Sequence, residues 1–199
     1  MDTMQSDVDV QLTSTPMVGF NTPRLHLRPI DEGDEALYCR LYTDPALMRH
    51  IASPMTPNAA TRSFRLARKL QSQRQQHWIV GERGGVGDIG LVGLFVDKSD
   101  AGIAEIGVML LATGQGVGFG AEAMAGVIGR AFATMCLRLL WIRQHIDNTA
   151  VPGMMRKLGF EPMPSSRVGP DECYWQQDRT QWQMARKATA GLENPGQSV

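Results

Sequence analysis

Short alternating runs and longer stretches of helical period divide this chain. Arg24-Leu25-His26-Leu27-Arg28-Pro29-Ile30 alternates and predicts a strand with Leu25 and Leu27 on one face. Asp31 follows as an N-cap, with Asp34 at the third helical position. Leu37, Cys39 and Leu41 then face inward on a helix that Asp44-Pro45 breaks. Met48 to Pro57 holds Pro54 and Pro57 and predicts a loop. Asn58 to Gln76 lacks proline and glycine, and Phe64, Leu66, Ala67 and Leu70 give it the apolar face of a second helix. Its other side carries Arg62, Arg65, Arg68, Lys69 and Arg74, a solvated face or one that attracts anions.

Three strands follow in quick succession. His77 to Val80, Ile89 to Val96 and Ile103 to Leu111 are separated by the turns Arg83-Gly84-Gly85 and Lys98 to Gly102, the pattern of an antiparallel meander. Met124, Val127, Ile128, Ala131, Phe132 and Met135 recur at helical spacing within Ala121 to Met135. Leu139 to Ile146 predicts a strand, Pro152 to Leu158 a short helix ended by Gly159, and Phe160 to Met163 and Gln181 to Arg186 two closing strands. The order β-α-α-β-β-β-α-β-α-β-β predicts an α/β fold, a mixed central sheet with helices on both faces. The strands before and after the long helix are expected to be parallel neighbours. The reading gives one domain over residues 21–187, with flexible tails at 1–20 and 188–199.

Composition narrows the partners. Of 199 residues, 20 are Lys or Arg and 20 are Asp or Glu, so the formal net charge is zero. That balance argues against nucleic acid, which asks for basic excess. No apolar run approaches the roughly 18 residues of a membrane helix, and the polar start is no signal peptide. Cys39, Cys136 and Cys173 are odd in number and scattered, which reads as free thiols in the cytoplasm. Neither they nor the four histidines show metal-ligand spacing, so no metal is expected.

Glycine changes the picture most. Gly114, Gly116, Gly118 and Gly120 cluster between a strand and a helix. Such a turn lets backbone N–H groups approach an anion at a positive helix end. A nucleotide P-loop is excluded because no Gly-Lys-Ser/Thr is present. A dinucleotide fingerprint is disfavoured: no acidic residue stands about 20 positions on, and an antiparallel meander precedes the loop. The pyrophosphate of coenzyme A remains, beside a plain glycine-rich connection.

Gln115-x-x-Gly118-x-Gly120 resembles the Q/R-x-x-G-x-G/A motif of the GNAT (GCN5-related N-acetyltransferase) superfamily. Gly116-Val117-Gly118-Phe119-Gly120-Ala121-Glu122-Ala123 is similar to the G-K-G-Y-A-T-E-A run of its RimJ/RimL-like branch. Thr22 to Pro29 resembles the branch's opening T-x-R-L-x-L-R-P. Asn148-Thr149-Ala150 with Lys157-Leu158-Gly159-Phe160 resembles its N-x-A…K-L-G-F. The resemblance covers roughly residues 20 to 187. It implies the GNAT fold and an N-acetyltransferase that moves acetyl from acetyl-CoA to a primary amine, a small molecule or a peptide N-terminus. The absence of a cysteine from the loop suggests direct attack in a ternary complex. The resemblance leaves a homodimer open.

It also places residues. Gln115, Gly116, Val117, Gly118, Phe119 and Gly120 would hold the pyrophosphate; Met109, Leu110 and Leu111 the pantetheine arm; Asn148 the arm or the helix end. Glu105 matches the glutamate of the family's A-E-I-G-Y run and reads as general base or as a solvent-facing strand carboxylate. Tyr174 reads as a proton donor to the leaving thiolate or as an ordinary aromatic. Met48, Met55, Met154, Met155 and Met163 read as pocket lining or core.

Two departures stand out. Val117 replaces a customary cation of the loop, which predicts weaker coenzyme binding resting on amides alone. Val151 and Met155 stand where the family can supply serine or tyrosine, and neither donates a proton. That motivates a rival: a catalytically weak coenzyme-A-binding module.

Overall fold

The computed structural model describes residues 17–72, 74–163 and 171–192. Its elements are β1 (Phe20–Asn21), β2 (Leu25–Pro29), α1 (Glu35–Thr43), α2 (Pro45–Met48), α3 (Pro57–Lys69), β3 (Gln75–Glu82), β4 (Asp88–Val96), β5 (Ile103–Leu110), α4 (Phe119–Thr134), β6 (Leu139–His145), α5 (Val151–Lys157), β7 (Glu161–Pro162), β8 (Glu172–Asp178) and α6 (Arg179–Leu192). The eight strands form one sheet in the order β1-β2-β3-β4-β5-β6-β8-β7. β3, β4 and β5 make the expected meander. β5 and β6 are parallel neighbours, as a crossover through α4 requires.

Side-chain alternation sorts the core into two layers. Trp78, Val80, Val92, Leu94, Ala104 and Ile106 pack on one face with Met124, Val127, Ile128 and Phe132 of α4. Ile79 and Leu91 pack on the other with Tyr38 and Leu41 of α1 and Phe64 and Ala67 of α3. Among the described residues no helix is long and apolar enough to cross a membrane.

Three expectations need correction. The last strand is not Gln181–Arg186 but Glu172–Asp178, which pairs along the full length of β6. Gln181 and Trp182 lie in α6, which continues to Leu192, beyond the expected boundary at Lys187. The cause is a reciprocal cap: the Gln181 N–H donates to Asp178 Oδ1 (2.7 Å), and the Asp178 N–H donates to Gln181 Oε1 (2.9 Å). Trp182 then packs on Phe132, with ring centroids 5.4 Å apart. The second helix stops at Lys69 rather than Gln76, so Arg74 falls outside it, and Leu66 is exposed. The chain ends 1–16 and 193–199 lie outside the described residues.

Asp31 does cap, but a short 3₁₀ turn (Glu32–Asp34) ahead of α1, with the Asp34 carboxylate accepting from the Asp31 N–H. Arg28 then ties that turn to two strands. Its guanidinium donates to Asp34 Oδ1 (2.6 Å) and Oδ2 (2.9 Å), to Asp31 and to Asp88 at the start of β4. Asp34 is only 5% exposed. Arg28→Ala leaves that carboxylate buried without its cation, at an expected cost of about 2–3 kcal/mol. For a chain of this size that lowers Tm by about 4–10 °C in a thermal melt. Arg28→Lys keeps the charge without the fork and is expected to recover only part of the loss.

Candidate active site

The site begins where the sheet opens. β5 and β6 pair only over Ile103–Glu105 and Leu139–Trp141. Beyond Glu105 the two part: β5 stays on β4 as far as Leu110, and β6 stays on β8 as far as His145. The edges left facing each other lack sheet partners, so their backbone groups are available to a ligand.

A groove of about 850 Å³ runs along this opening, lined by Val108, Met109 and Leu110 of β5, by Gly114 to Gly116, Gly118, Gly120 and Ala121, and by Asn148 to Ala150. A second cavity of about 250 Å³ lies on the α1 side, lined by Tyr42, Leu91, Gly93, Phe95, Glu105, Gly107, Arg143 and Glu172 among others. His50, Ile51, Val108, Met109, Asn148 and Met154 line both, so the two spaces meet there.

The glycine turn leaves a row of backbone N–H groups without protein acceptors among the described residues. Gly116 and Gly118 have φ of +77° and +85°, a region closed to most side chains, and Gly118 is the N-cap of α4. The first N–H to enter the helical ladder is that of Glu122, on the Gly118 carbonyl at 3.1 Å. Among the described residues the N–H groups of 116–121 meet no protein acceptor. A brace behind the loop keeps them free: Arg24 Nη1 donates to the Val117 carbonyl (3.0 Å) and Arg24 Nε to Glu122 Oε2 (2.6 Å). Glu122 also accepts from Thr22 Oγ1 (2.6 Å) and the Arg24 N–H (2.7 Å). Burial pushes the Glu122 carboxyl up, but these hydrogen bonds outweigh it and hold it below its ordinary range. Arg49 and Lys157 stand on the walls of the groove.

In the smaller cavity Glu105 is half-buried. Among the described residues no donor reaches its carboxylate. Burial raises its pKa above the ordinary carboxyl value, Arg143 opposes that, and Glu172 adds to it. Arg143 Nη1 is spent on Glu172 Oε1 at 3.0 Å. The rings of His50 and His145 face each other at 5.8 Å between centroids, and His145 Nδ1 accepts from the Asp147 N–H at 3.2 Å.

A family model described as "Acetyltransferase (GNAT) domain" matches residues 24–161. The chain belongs to the GNAT acetyltransferase family. It is an acyl-CoA-dependent acetyltransferase, and the parting of β5 and β6 lies inside the matched region. Among solved structures it is similar to the spermidine N-acetyltransferase of Vibrio cholerae in complex with CoA and spermine, at 15% identity and TM-score 0.70 over 81% of this chain and 99% of that one. It is also similar to RimL, a ribosomal L7/L12 alpha-N-protein acetyltransferase in complex with coenzyme A (17%, TM-score 0.65, 79% and 95%). A third, apo FdhC, a nucleotide-linked sugar GNAT, gives 14% and TM-score 0.68 over 89% and 97%. No curated protein sequence matches this chain.

Within this acetyltransferase the expected site residues divide. Met109, Leu110, Gly116, Gly118, Gly120 and Asn148 line the groove, and Glu105 lines the cavity. Gln115 also lines the groove, yet its side-chain amide donates to the Leu110 carbonyl (2.8 Å), fastening the loop to the end of β5. Leu111 does not face the groove: it is buried against α1 and α3, and its N–H is taken by the Ile89 carbonyl (2.8 Å). Val117 turns its carbonyl to Arg24, and Phe119 is buried in the core, so these two present no side chain to the groove. Tyr174 lines neither space. It stacks on Trp141 (5.6 Å) and its hydroxyl donates to Glu172 Oε2 (2.7 Å), the bond that chiefly raises its pKa.

Of the expected methionines only Met154 and Met155 reach these spaces, joined by Met109 and Met124. None of the three cysteines lines either. Among the described residues no cluster of His, Cys, Asp or Glu is arranged to hold a metal ion. Sequence reasoning missed Arg143, His145, Glu172, His50 and Tyr42. Arg143 and His145 alternate on β6 and were legible as one face; Glu172 was hidden because the start of β8 was placed nine residues too late.

Proposed function

We propose that this acetyltransferase passes the acetyl group of acetyl-CoA to a primary amine by direct attack in a ternary complex. The observation that carries the reading is the meeting of two spaces at the parted strands, one walled by unpartnered backbone N–H groups, the other holding an unpartnered carboxylate. The free N–H groups of 116–121 fit a pyrophosphate, with Arg49 and Lys157 as the cations that Val117 does not supply. The unpaired edge of β5 at Val108 to Leu110 fits a pantetheine arm and offers N–H groups to the thioester oxygen.

Glu105, raised towards neutrality, takes a proton from the incoming ammonium, through water where the amine does not touch it. The neutral amine nitrogen attacks the thioester carbon, the tetrahedral oxyanion collapses with breakage of the C–S bond, and the nitrogen gives up its second proton to solvent to leave the amide. The thiolate leaves along the open groove and takes its proton from solvent, since Val151 and Met155 have none to give and the Tyr174 proton is engaged by Glu172. Tyr174 is thus a positioning residue for Glu172. With no cysteine on either space, initial-rate kinetics should give intersecting rather than parallel lines; parallel lines would point to an acyl-enzyme.

The lack of a side-chain proton donor favours a second reading, a coenzyme-A-binding module with little turnover. Calorimetry with acetyl-CoA, followed by thiol release across amino acids, monoamines, polyamines and peptide N-termini, separates the two. Binding with turnover on an amine supports transfer; binding with none supports the module.

A further inference from the structure

The smaller cavity restricts the acceptor, if acetyl transfer is the reaction. Its floor opens at Gly107; the glycine paired with it across β4 and β5, Gly93, lies under the Phe95 ring, whose Cε2 a Cβ there would meet at 2.7 Å. A Cβ at Gly107 would meet no atom within 4 Å, so this glycine opens the cavity rather than avoiding a clash. Leu91, Phe95 and Tyr42 supply apolar walls. The volume, about 250 Å³, lies under the roughly 300–1,000 Å³ of pockets for drug-sized ligands. The transferred acetyl group must share it.

Charge restricts the acceptor further. The ionisable groups facing Glu105 in this cavity are Arg143, Glu172, His50, His145 and Tyr42. Glu172 is neutralised by Arg143 (3.0 Å) and also accepts from Tyr174 (2.7 Å), which hold its carboxyl below the ordinary range. One carboxylate, Glu105, is left to meet a cation. Within this cavity a second ammonium on the same ligand would find no free anion and would lie near Arg143.

We propose that the acceptor is a compact monoamine carrying an apolar body, rather than a polyamine or a peptide N-terminus. Its ammonium meets Glu105, and its hydrocarbon part lies on Gly107 between Phe95, Leu91 and Tyr42. The apolar part is selected by burial, the single charge by the single free carboxylate.

The test is thiol release at saturating acetyl-CoA with 2-phenylethylamine, 3-methylbutylamine, spermidine and a short peptide with a free N-terminal serine. We expect kcat/KM for the better monoamine to exceed that for spermidine and the peptide by at least about tenfold, the scale of discrimination that apolar pockets reach. Gly107→Val fills the floor without a steric clash in the strand. It should raise the monoamine KM by about tenfold or more while calorimetry gives an acetyl-CoA Kd within about twofold of the parent. Arg143→Gln frees Glu172 and should lower the spermidine KM by about threefold, the scale of one exposed ion pair. A preference for spermidine or the peptide, or a monoamine KM unmoved by Gly107→Val, overturns the acceptor assignment and leaves acetyl transfer standing. No thiol release with any amine overturns both.

Discussion

Glu105→Gln lowers kcat by about 10²–10⁴-fold, the range over which a positioned general base contributes. The parent should lose kcat/KM at acid pH with a limb displaced upward from the ordinary carboxyl range, because burial outweighs the pull of Arg143 on this group. The variant loses that limb. Stability should move the other way. A carboxyl raised by folding binds its proton more tightly in the native chain than in the unfolded one. Stability therefore falls as pH rises from the unfolded carboxyl value through the raised native one, and above that the ionised group is a standing cost. Glutamine keeps the shape and removes the charge, so the variant should melt at a higher temperature than the parent at pH 7 and at the same or a lower one at pH 4. A collapse of activity with a collapse of Tm would mean a damaged fold instead. Activity and pH profile both unchanged would remove Glu105 from the chemistry and leave it a strand carboxylate.

The contrast between Glu105 and Tyr174 shows what a sequence carries. Glu105 sits in a meander joined by short turns, so the pairing of its strand with β4 was legible, while its face stayed open between the site and solvent. Tyr174 sits in a strand whose partner is distant in sequence, and nothing local fixes its register on β6. Gln181 to Arg186 alternates as well as a strand does. The Asp178-x-x-Gln181 cap settles it as helix, and that short signal lost to the longer apolar period. With β8 moved upstream, Glu172 faces Arg143, and a side chain that had no reading becomes a wall of the cavity.

The glycine turn was legible as a turn into a helix because its requirements are local: positive φ, small residues, a helix to follow. The brace behind it was not. Arg24 and Glu122 lie 98 positions apart, and only the fold brings the start of the first motif onto the start of the helix. For the same reason the missing loop cation looked more serious in sequence than in space, where Arg49, just past the end of α2, and Lys157, at the end of α5, come to the groove.

Gly118→Val should be the more damaging change at the coenzyme end. The residue holds φ at +85° as N-cap of α4, and a β-branched side chain there costs about 1–3 kcal/mol of backbone strain. If the chain relieves that strain by turning the peptide, the N–H groups aimed into the groove turn with it and the Arg24 contact to Val117 loosens. If it does not, the native state bears the cost. With the peptide turned, the acetyl-CoA Kd should rise by about tenfold or more, since every 1.4 kcal/mol is tenfold; strain that is borne without turning is present with and without ligand and shows in Tm alone. Tm should fall, while the acceptor KM measured at saturating acetyl-CoA stays near the parent value. Gly120→Ala is the matched control two residues on. It sits at the start of the helix without a positive φ, and a Cβ there meets Leu110 and Met154 only at 3.6 and 3.7 Å. Alanine should be accommodated, with stability equal or higher by up to about 1 kcal/mol. The two glycines lie in one motif and look equivalent in sequence. If Gly118→Val kept the parent Tm, its strain relieved by a turned peptide, and still bound acetyl-CoA as well as Gly120→Ala, the loop's amides would not be what holds the coenzyme, and the affinity would have to come from the walls of the groove.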